Sequence, residues 1–375
     1  MNTFREKYQE ILAELPNSNI VRVINEIKKK LNGRPLALYG LGGNFSRYWY
    51  WCRECGAQVS CVCDTHKKGV SEVGLPILDM QELTLDFGDA VVLICSPRYN
   101  DEIRQDLIQH GFASESIIKC PDLQWNSESP LSFERCLKGY EWAFDFFEDS
   151  LSRQQILDRM RYYLMGVPPQ QNSACDVYYE NGYIELQQGE IFVDAGAKFG
   201  ETVEQFISKM KDAEKTYKKI YAFEPSPINY SATVERLSHI DGVEIVQKGL
   251  WSCEAVLSFF EHDQLRETSS FTTELFGSNC IQVPVTSLDF FLKDVAPCDL
   301  PTFIKMDIEG SEKEALKGAA NTIKLAKPKL AICAYHKTED IYELPQTILG
   351  IRDDYKFALR ASNIYSPIEV ILYGF

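Results

Sequence analysis

The stretch "EIFVDAGAKFGET", residues 190–202, decides the fold of the C-terminal half of the chain. Its apolar run ends at Asp194, Gly196 and Gly200 frame a turn, and the residues that follow have helical periodicity. The next apolar run, "KIYAF", is followed at once by Glu224. A strand, a glycine turn, a helix and a second strand together predict a parallel α/β sheet.

Further alternating elements continue this sheet towards the C-terminus. Only a turn separates the last two predicted strands, so we expect them to form an antiparallel hairpin at the end of the sheet. The later strands are predicted at residues 243–247, 303–307, 329–334, 355–359 and 369–375, and the helices at 201–210, 229–238, 311–326 and 340–349.

A second glycine loop lies near the N-terminus, in "LALYGLGGNF". Gly40, Gly42 and Gly43 follow a predicted strand and precede a predicted helix, and Asp64 closes the next strand. This is the layout of a dinucleotide site, in which glycines admit a phosphate and an acid meets a ribose. Phe45 replaces the third glycine of that pattern. A nucleotide or sugar-nucleotide pocket at Gly40, Gly42 and Asp64 and a tight turn without a ligand therefore both stay open.

These patterns divide the 375 residues into three parts. Residues 1–125 predict a smaller Rossmann-like parallel α/β domain, and residues 188–375 predict the second α/β domain. Residues 126–187 form a helical, aromatic-rich segment that we expect to pack between domains.

The charge of the chain argues against a nucleic-acid partner. Its formal net charge is -15, and its lysine clusters at residues 27–30 and 209–219 resemble solvated helix faces. The N-terminus lacks the apolar core of a signal peptide, and no stretch reaches the ~18–20 consecutive apolar residues of a membrane span. We therefore expect a cytoplasmic protein with no membrane span and with reduced cysteines.

Four of the twelve cysteines lie close together, at Cys52, Cys55, Cys61 and Cys63. The two pairs resemble zinc ligands, but the gap between them is shorter than in zinc ribbons or fingers. We predict instead a helix that ends at Cys55 and a strand on which Cys61 and Cys63 are small apolar residues.

Glu224 and Asp194 indicate the chemistry of a ligand. The Asp-x-Gly-x3-Gly spacing departs from the dinucleotide pattern and suits an adenosine without a pyrophosphate. A carboxylate at the tip of the second strand can accept both ribose hydroxyls, and Asp194 can meet an ammonium group or a water. Ribose, amine, carboxylate and sulfonium are the parts of S-adenosylmethionine (SAM).

Residues 189–375 resemble the FkbM-type family of SAM-dependent methyltransferases. The resemblance implies the class I methyltransferase sheet, which is seven-stranded with an antiparallel last strand. Position 198 departs from the family, because it is often Asn there and is Lys198 here. The matching stretches are "IFVDAGAKFGET", "IYAFEPSPINY", "VQKGLWS", "VPVTSLDFF", "FIKMDIEGSEKEALKGA" and "PKLAICAYHKTEDIYELPQTI".

The resemblance also implies SAM as the cofactor and a set of cofactor-binding residues within these stretches. The set is Asp194, Gly196, Ala197, Gly200, Thr202, Glu224, Pro225, Gly249 and Leu250. The N-terminal part resembles, more loosely, the Rossmann-like domains found beside sugar-modifying enzymes.

Charged residues mark the end of the strand in "FIKMDIEGSE". Lys305, Asp307 and Glu309 alternate, so we expect them to face one side of that strand. The next strand is followed by Tyr335 and His336. Because the carboxyl ends of parallel strands meet at one edge, we predict that Asp307, Glu309 and His336 serve the acceptor as catalytic residues.

Methyl transfer to a hydroxyl requires alignment and the removal of a proton. His336 is the predicted base, with Asp307 orienting it or taking the proton itself. Lys305 could keep a carboxylate charged, or form a buried ion pair with Asp307. Asp307 and Glu309 could also hold Mg²⁺, but nothing in the sequence requires a metal and none is predicted.

Some features near this edge also have a purely structural interpretation. Ser311 and Glu314 fit a capping box, and Glu309 could complement the dipole of the helix that follows. The polar loop at residues 262–279 could cover an acceptor or be a surface excursion.

We expect an O-methyltransferase that acts on a hydroxyl of a sugar, a glycan precursor or a related metabolite. Methylation of a nitrogen or a phosphate is a variant that the sequence leaves open. The alternative of another class is a non-catalytic nucleotide- or SAM-binding or scaffolding protein, for which Lys198 and the incomplete first glycine loop argue. The intact second loop with Glu224 favours the enzyme.

Overall fold

Both alternating stretches form sheets in a computed structural model of the chain, which confirms the mixed α/β class. The chain divides into two compact units, Met1–Leu137 with Arg159–Pro168 and Lys138–Asp158 with Pro169–Phe375. The structure describes residues 3–14, 19–42, 45–54, 56–71, 73–96, 99–119, 133–165, 177–180, 182–262, 278–361 and 369–375.

The first unit is built on a six-stranded sheet with the spatial order β3-β4-β2-β1-β5-β6. Its strands are β1 (Leu36–Tyr39), β2 (Val59–Cys63), β3 (Gly69–Val70), β4 (Pro76–Leu78), β5 (Val91–Ile94) and β6 (Ile117–Lys119). Strand β3 is antiparallel to β4, and the other pairs in this sheet are parallel.

Helices cover both faces of this sheet. Leu36 and Leu38 of β1 belong to one buried cluster, while Ala37 and Tyr39 belong to another. The first cluster includes residues of α2 and α3, and the second includes residues of α4 and α5. This double coverage is what parallel sheets require. The helices are α1 (Phe4–Glu14), α2 (Asn19–Leu31), α3 (Phe45–Glu54), α4 (Met80–Phe87) and α5 (Asn100–Gln109).

The described cysteines of the zinc-like group are core residues, as predicted. Cys52 packs in the first cluster, and Cys61 and Cys63 pack in the second. Burial raises the pKa of Cys61 to about 12, so its thiol stays protonated. The three thiols therefore do not converge on a common point. Cys55 lies outside the described residues.

Two helices fall where the sequence predicts a helical segment: α6 (Leu137–Phe146) and α7 (Ser150–Met165). Helix α7 begins after Asp149, whose Oδ1 accepts the backbone N–H of Ser152 at 2.9 Å. This bond satisfies one of the amides that a helix start leaves without a partner.

The second unit contains a seven-stranded sheet with the spatial order β15-β16-β14-β13-β7-β8-β9. Strand β16 is antiparallel to both its neighbours, and the other pairs are parallel, which confirms the predicted class I arrangement. A separate three-stranded sheet has the order β10-β12-β11. The strands are β7 (Glu190–Ala195), β8 (Tyr217–Phe223), β9 (Val243–Val246), β10 (Gly249–Leu250), β11 (Ala255–His262), β12 (Ser278–Thr286), β13 (Phe303–Met306), β14 (Lys329–Cys333), β15 (Phe357–Ala361) and β16 (Val370–Gly374).

The predicted helix at 311–326 is two helices in the structure. Gly318 ends the first of them, and a Cβ at this position would come within 2.0 Å of the Trp251 carbonyl oxygen. Glycine is both a poor helix former and the one residue that fits this close approach. The helices of the unit are α8 (Glu201–Asp212), α9 (Pro227–Leu237), α10 (Leu288–Phe291), α11 (Glu312–Gly318), α12 (Ala320–Ala326) and α13 (Asp340–Ile351).

Within the part of the chain that the structure describes, none of the helices combines the length and the apolar character that a bilayer crossing needs.

Candidate functional site

The carboxyl ends of the central strands of the second unit open into one cavity of about 460 Å³. Strand β7 lies between β8 and β13, so the chain fills one side of β7 first and the other side later. Such a reversal of strand order leaves a crevice beyond the strand ends. Most of the predicted site residues line it, namely Gly196, Ala197, Thr202, Glu224, Pro225, Gly249, Leu250, Asp307 and Glu309.

Gly196 brings the loop after β7 against the end of β13. Its φ is 83°, in the left-handed region that favours glycine. A Cβ there would come within 2.0 Å of the Asp307 carbonyl oxygen. Gly200, with φ 85°, precedes α8 and packs against Leu237, so it shapes the loop and is not part of the cavity lining.

Glu224 follows β8 and closes the loop after β7 by hydrogen bonds. Its Oε2 accepts the backbone N–H of Lys198 at 2.8 Å, and its Oε1 accepts that of Ser226 at 2.9 Å. Burial raises the pKa of Glu224 to about 7, against the effect of these amides. Lys198 has φ 52°, a conformation in which Asn is enriched, which gives a physical reason for Asn at this position in the family.

Asp194 forms a buried ion pair. Its Oδ1 lies 2.9 Å from Lys305 Nζ, and both side chains are almost fully buried. Lys305 also donates to the Gly196 carbonyl oxygen at 2.9 Å. Burial lowers the pKa of Lys305, but the carboxylates of Asp194 and Asp307 outweigh this and raise it, so Lys305 stays charged.

One prediction needs correction here, and one open alternative is resolved. Lys305 forms its buried ion pair with Asp194 rather than with Asp307. Asp194 does not line the cavity, because its carboxylate is turned to the lysine inside the sheet. The lysine and not the aspartate reaches the cavity lining.

Asp307, directly after β13, is held by two tyrosines. Tyr178 donates its hydroxyl to Oδ2 at 2.9 Å, and Tyr335 donates to Oδ1 at 3.3 Å. Burial alone would raise the pKa of Asp307, but Lys305 and His336 outweigh it and keep the pKa below its usual value. Asp307 is therefore an ionised, fixed hydrogen-bond acceptor and a weak base.

His336 lies among carboxylates. Its Nδ1 is 3.0 Å from Glu312 Oε1, and its Nε2 is 3.5 Å from Asp307 Oδ1 and 3.6 Å from Glu309 Oε2. Burial lowers the pKa of His336, but these carboxylates outweigh it and raise the pKa to about 10. The ring is therefore doubly protonated near neutral pH. This state argues against the predicted role of His336 as the base.

Glu309 occupies the turn beyond β13 with a left-handed backbone, φ 53°. The strand ends at Met306, so the alternation of side chains along it does not decide where the Glu309 side chain points. Glu309 nevertheless lines the same cavity as Lys305 and Asp307. Burial raises its pKa to about 7, and the neighbouring His336 opposes this rise. Of the two carboxylates that follow β13, Asp307 and Glu309, Glu309 is thus the one that can exchange a proton near neutral pH.

The predicted capping box at Ser311 and Glu314 is absent from the described structure of this turn. Ser311 precedes α11, but its side chain accepts no capping hydrogen bond. Glu312 Oε1 accepts the backbone N–H of Ile308 at 2.9 Å, and Glu314 pairs with Lys317. Glu312 is the first residue of α11, and its carboxylate points back into the protein, where it ties down the turn before the helix and lies against His336.

Two overlapping groups place possible metal-ligand atoms within 4.8 Å of one another. They are Asp307, Glu309 and His336, and Glu312, His336 and Asp340. Both share a single imidazole, which three carboxylates already engage as a cation. Ion pairing accounts for both groups, and we assign no metal to them.

Asp64, the acid of the first glycine loop, bonds backbone amides. Asp64 Oδ2 accepts the Leu41 N–H at 2.8 Å, and Oδ1 accepts the N–H groups of His66 and Lys67 at 2.9 and 3.0 Å. The carboxylate thus ties together two backbone segments. The bonds favour the tight-turn interpretation over a ribose contact at Gly40, Gly42 and Asp64. Gly43 lies outside the described residues.

Sequence reasoning missed Tyr178, Glu312 and Asp340. Tyr178 is 129 residues from Asp307, and no local pattern indicates such a contact. Glu312 stands in "EGSEKE" beside Glu309 and Glu314, and nothing in that spacing distinguishes the buried glutamate from the exposed one. Of the predicted lid at residues 262–279, residues 263–277 lie outside the described residues.

Comparison with known proteins agrees with this geometry. Residues 194–357 match the family model for the Methyltransferase FkbM domain. The crystal structure of methyltransferase FkbM from Methylobacillus flagellatus KT has a similar fold, with a TM-score of 0.59 and 22% identity over 98% of this chain and 99% of that chain. The family match spans 164 of the 375 residues, from the end of β7 to the first residue of β15.

More distant similarities cover about half of the chain. Aeropyrum pernix fibrillarin, solved with natively bound S-adenosyl-L-methionine, gives a TM-score of 0.33 and 10% identity over 52% of this chain and 70% of that chain. An rRNA methylase from Streptococcus thermophilus gives 0.32 and 16% over 50% and 87%. No curated protein sequence is significantly similar to the chain.

Proposed function

We propose that the second unit binds SAM in this cavity and transfers its methyl group to a hydroxyl of a sugar, a glycan precursor or a related metabolite. One observation carries the proposal. The cavity of the FkbM methyltransferase domain is lined at the end of β8 by Glu224 and beyond β13 by Asp307 and Glu309. A ribose-binding acid and two acceptor-side carboxylates thus border one space.

The donor end fits SAM in size and chemistry. A cavity of about 460 Å³ falls in the range of small-molecule sites. The Glu224 carboxylate accepts two backbone amides and is also hydrogen-bonded by the Asn229 side chain, which leaves it acceptor capacity for a ribose hydroxyl on its cavity side. We assign the adenine to the wall formed by Gly249, Leu250 and Phe259, of which the last two are buried.

The loop after β7 is assigned to the methionine portion of SAM. Gly196, Ala197 and Thr202 line the cavity there. Lys305 holds this loop through the Gly196 carbonyl, and Asp194 keeps Lys305 charged. In this assignment Asp194 does not contact SAM and acts on it only through Lys305.

The acceptor end supplies a base. SAM carries a methyl group already activated on a sulfonium, so its transfer forms a carbon–oxygen bond, breaks the carbon–sulfur bond and releases the hydroxyl proton. We assign this proton to Glu309, which lines the cavity and has a pKa near neutrality. Asp307 and Tyr335 are fixed by their mutual hydrogen bond and orient the acceptor.

The polar groups at this end favour an acceptor with several hydroxyls. Asp307, Glu309, Tyr335 and Glu369 all line the cavity. Carboxylates accept hydrogen bonds and do not donate them when ionised, which suits hydroxyl donors. We place the reaction in the cytoplasm because the described cysteines carry free thiols.

The test is transfer of labelled methyl from SAM to a panel of sugars and sugar nucleotides at about pH 8. We expect a labelled methyl ether, and we expect Glu309→Gln to lower kcat by about 100-fold or more while SAM affinity is kept. Glu343→Gln is the matched control, because Glu343 pairs with Lys313 on the surface. Full turnover by Glu309→Gln would remove Glu309 as the base.

A further inference from the structure

A buried carboxylate behind the acceptor-side residues has no role in the reaction as assigned so far. Glu312, at the start of α11, is fully buried. Its Oε1 accepts the Ile308 N–H at 2.9 Å and lies 3.0 Å from His336 Nδ1. Backbone and imidazole thus fix one oxygen of this carboxylate from two directions.

The far side of the imidazole faces the reactive carboxylates. His336 Nε2 lies 3.5 Å from Asp307 Oδ1 and 3.6 Å from Glu309 Oε2. The Tyr335 ring packs against the imidazole at 4.2 Å between centroids, so the ring has little freedom to turn. Glu312, His336 and Glu309 therefore form a line of charges that leads from the core to the cavity.

We propose that Glu312 is a positioning residue for the acceptor-side base: it keeps His336 doubly protonated, with Nδ1–H towards Glu312 and Nε2–H between Asp307 and Glu309. The inference rests on the proposed function, because it explains how the base of that reaction is kept ready. Histidines that serve a site commonly have their second nitrogen fixed by a carboxylate in this way.

The charges around the ring decide the direction of the effect. Asp307, Glu309 and Glu312 face His336, and Asp340 interacts with it from the start of α13. Glu309 faces His336, Asp307, Glu312 and Lys198. Loss of the Glu312 charge destabilises the imidazolium. The ring stays doubly protonated near neutral pH even after a fall of about one pH unit in its pKa, whereas the Glu312 charge that raises the pKa of Glu309 is gone, so the base ionises at lower pH.

The experiment follows the side-chain nitrogens of histidine by NMR in the full-length protein without any acceptor. The chain has five histidines, and a His336→Gln variant assigns the signal of interest. We expect wild-type His336 to remain doubly protonated at about pH 8. Glu312→Gln keeps the shape of the side chain and removes its charge. We expect this variant to lower the midpoint of the His336 titration by about one pH unit or more.

Glu314→Gln is the control, because Glu314 lies on the same helix and pairs with Lys317. This variant is expected to leave the His336 midpoint within about 0.2 pH units. A neutral wild-type ring at about pH 7.5 overturns the proposal even if Glu312→Gln fails to fold. A folded Glu312→Gln protein with an unchanged midpoint overturns it as well.

Two further measurements separate this inference from the proposed function. Calorimetry with SAM is expected to give the same affinity for wild type and Glu312→Gln within about twofold, because Glu312 does not line the cavity. Failure of wild type to bind SAM would remove the proposed function, whatever the NMR result. With an acceptor, the acid limb of kcat/KM is expected to move to lower pH in Glu312→Gln, because the Glu312 charge that raises the pKa of Glu309 is lost, and an unmoved limb contradicts the inference.

Discussion

The two glycine loops of this chain are alike in their hydrogen bonds and differ in what their acids face. Asp64 accepts the amides of Leu41 and His66, and Glu224 accepts the amides of Lys198 and Ser226. In each case one amide lies in the preceding loop and the other lies two residues after the acid. The shared pattern is thus a way to close a strand–loop–helix crossover.

The difference lies in the third partner of each carboxylate and in what the carboxylate borders. Asp64 accepts a third amide, from Lys67, whose ammonium also bonds the Leu41 carbonyl oxygen at 3.1 Å. Glu224 has the Asn229 side chain as its third partner and lines the cavity. A carboxylate after the second strand therefore indicates a closed crossover first, and a ribose site only where it also borders a cavity.

The largest expected difference in stability is between variants of two lysines, Lys305 beside the second glycine loop and Lys67 beside the first. Lys305→Met leaves the buried Asp194 charge without its partner, and we expect it to lower the free energy of unfolding by about 3–5 kcal/mol. Lys67→Met removes a partly buried hydrogen bond and is expected to cost about 0.5–1.5 kcal/mol. Urea denaturation measures both variants.

The double variant Asp194→Asn with Lys305→Met is the control for this contrast. Because it removes the isolated buried charge, we expect it to recover much of the loss in Lys305→Met. Equal losses in Lys305→Met and Lys67→Met would contradict the assignment of Asp194 and Lys305 as a buried pair.

A second contrast compares one glycine from each loop. Gly196→Ala forces a Cβ into the Asp307 carbonyl at a left-handed backbone, and we expect a loss of about 2–4 kcal/mol. Among the residues that the structure describes, none comes within 4 Å of a Cβ at Gly42, so Gly42→Ala is expected to stay within about 0.5 kcal/mol of wild type. Thermal unfolding separates the two. A stable Gly196→Ala protein would show that the loop and β13 are not in close contact.

A smaller effect concerns pH. The pKa of Glu224 is about 7, and the ionised carboxylate is the form that accepts a ribose hydroxyl most strongly. SAM affinity is therefore expected to fall about tenfold as the pH drops from about 8 to 6, because Glu224 gains a proton in that range. Calorimetry at both pH values measures this. Glu224→Gln should show a flatter dependence, and the same slope in both proteins would remove Glu224 as its source.

Much of the fold could be predicted from the sequence because its signals are local. The apolar runs that end at Asp194, Glu224 and Asp307 predict strands. Each of these three residues lies within one or two positions of the observed end of its strand. Glycines with a positive φ mark the turns. The resemblance of residues 189–375 to a family then placed the strands in one sheet with an antiparallel last strand.

The electrostatic roles could not be predicted, because they depend on contacts between distant residues. The partner of Lys305 lies 111 positions earlier, on the neighbouring strand, and strand alternation says nothing about which acid it meets. Likewise, the charge of His336 follows from three carboxylates gathered around one ring. An imidazole considered alone titrates near neutrality, and for that reason the sequence favoured it as the base.

The most direct test of the account is SAM binding by calorimetry, with wild type compared to Glu224→Ala. Glu244→Ala is the matched control, since Glu244 lies on the neighbouring strand β9 and pairs with Lys219 of β8. We predict micromolar binding by wild type and by the control, and a loss of tenfold or more in Glu224→Ala, equivalent to about 1.4 kcal/mol. Absence of SAM binding by folded wild-type protein, or equal affinity in all three proteins, would contradict the account.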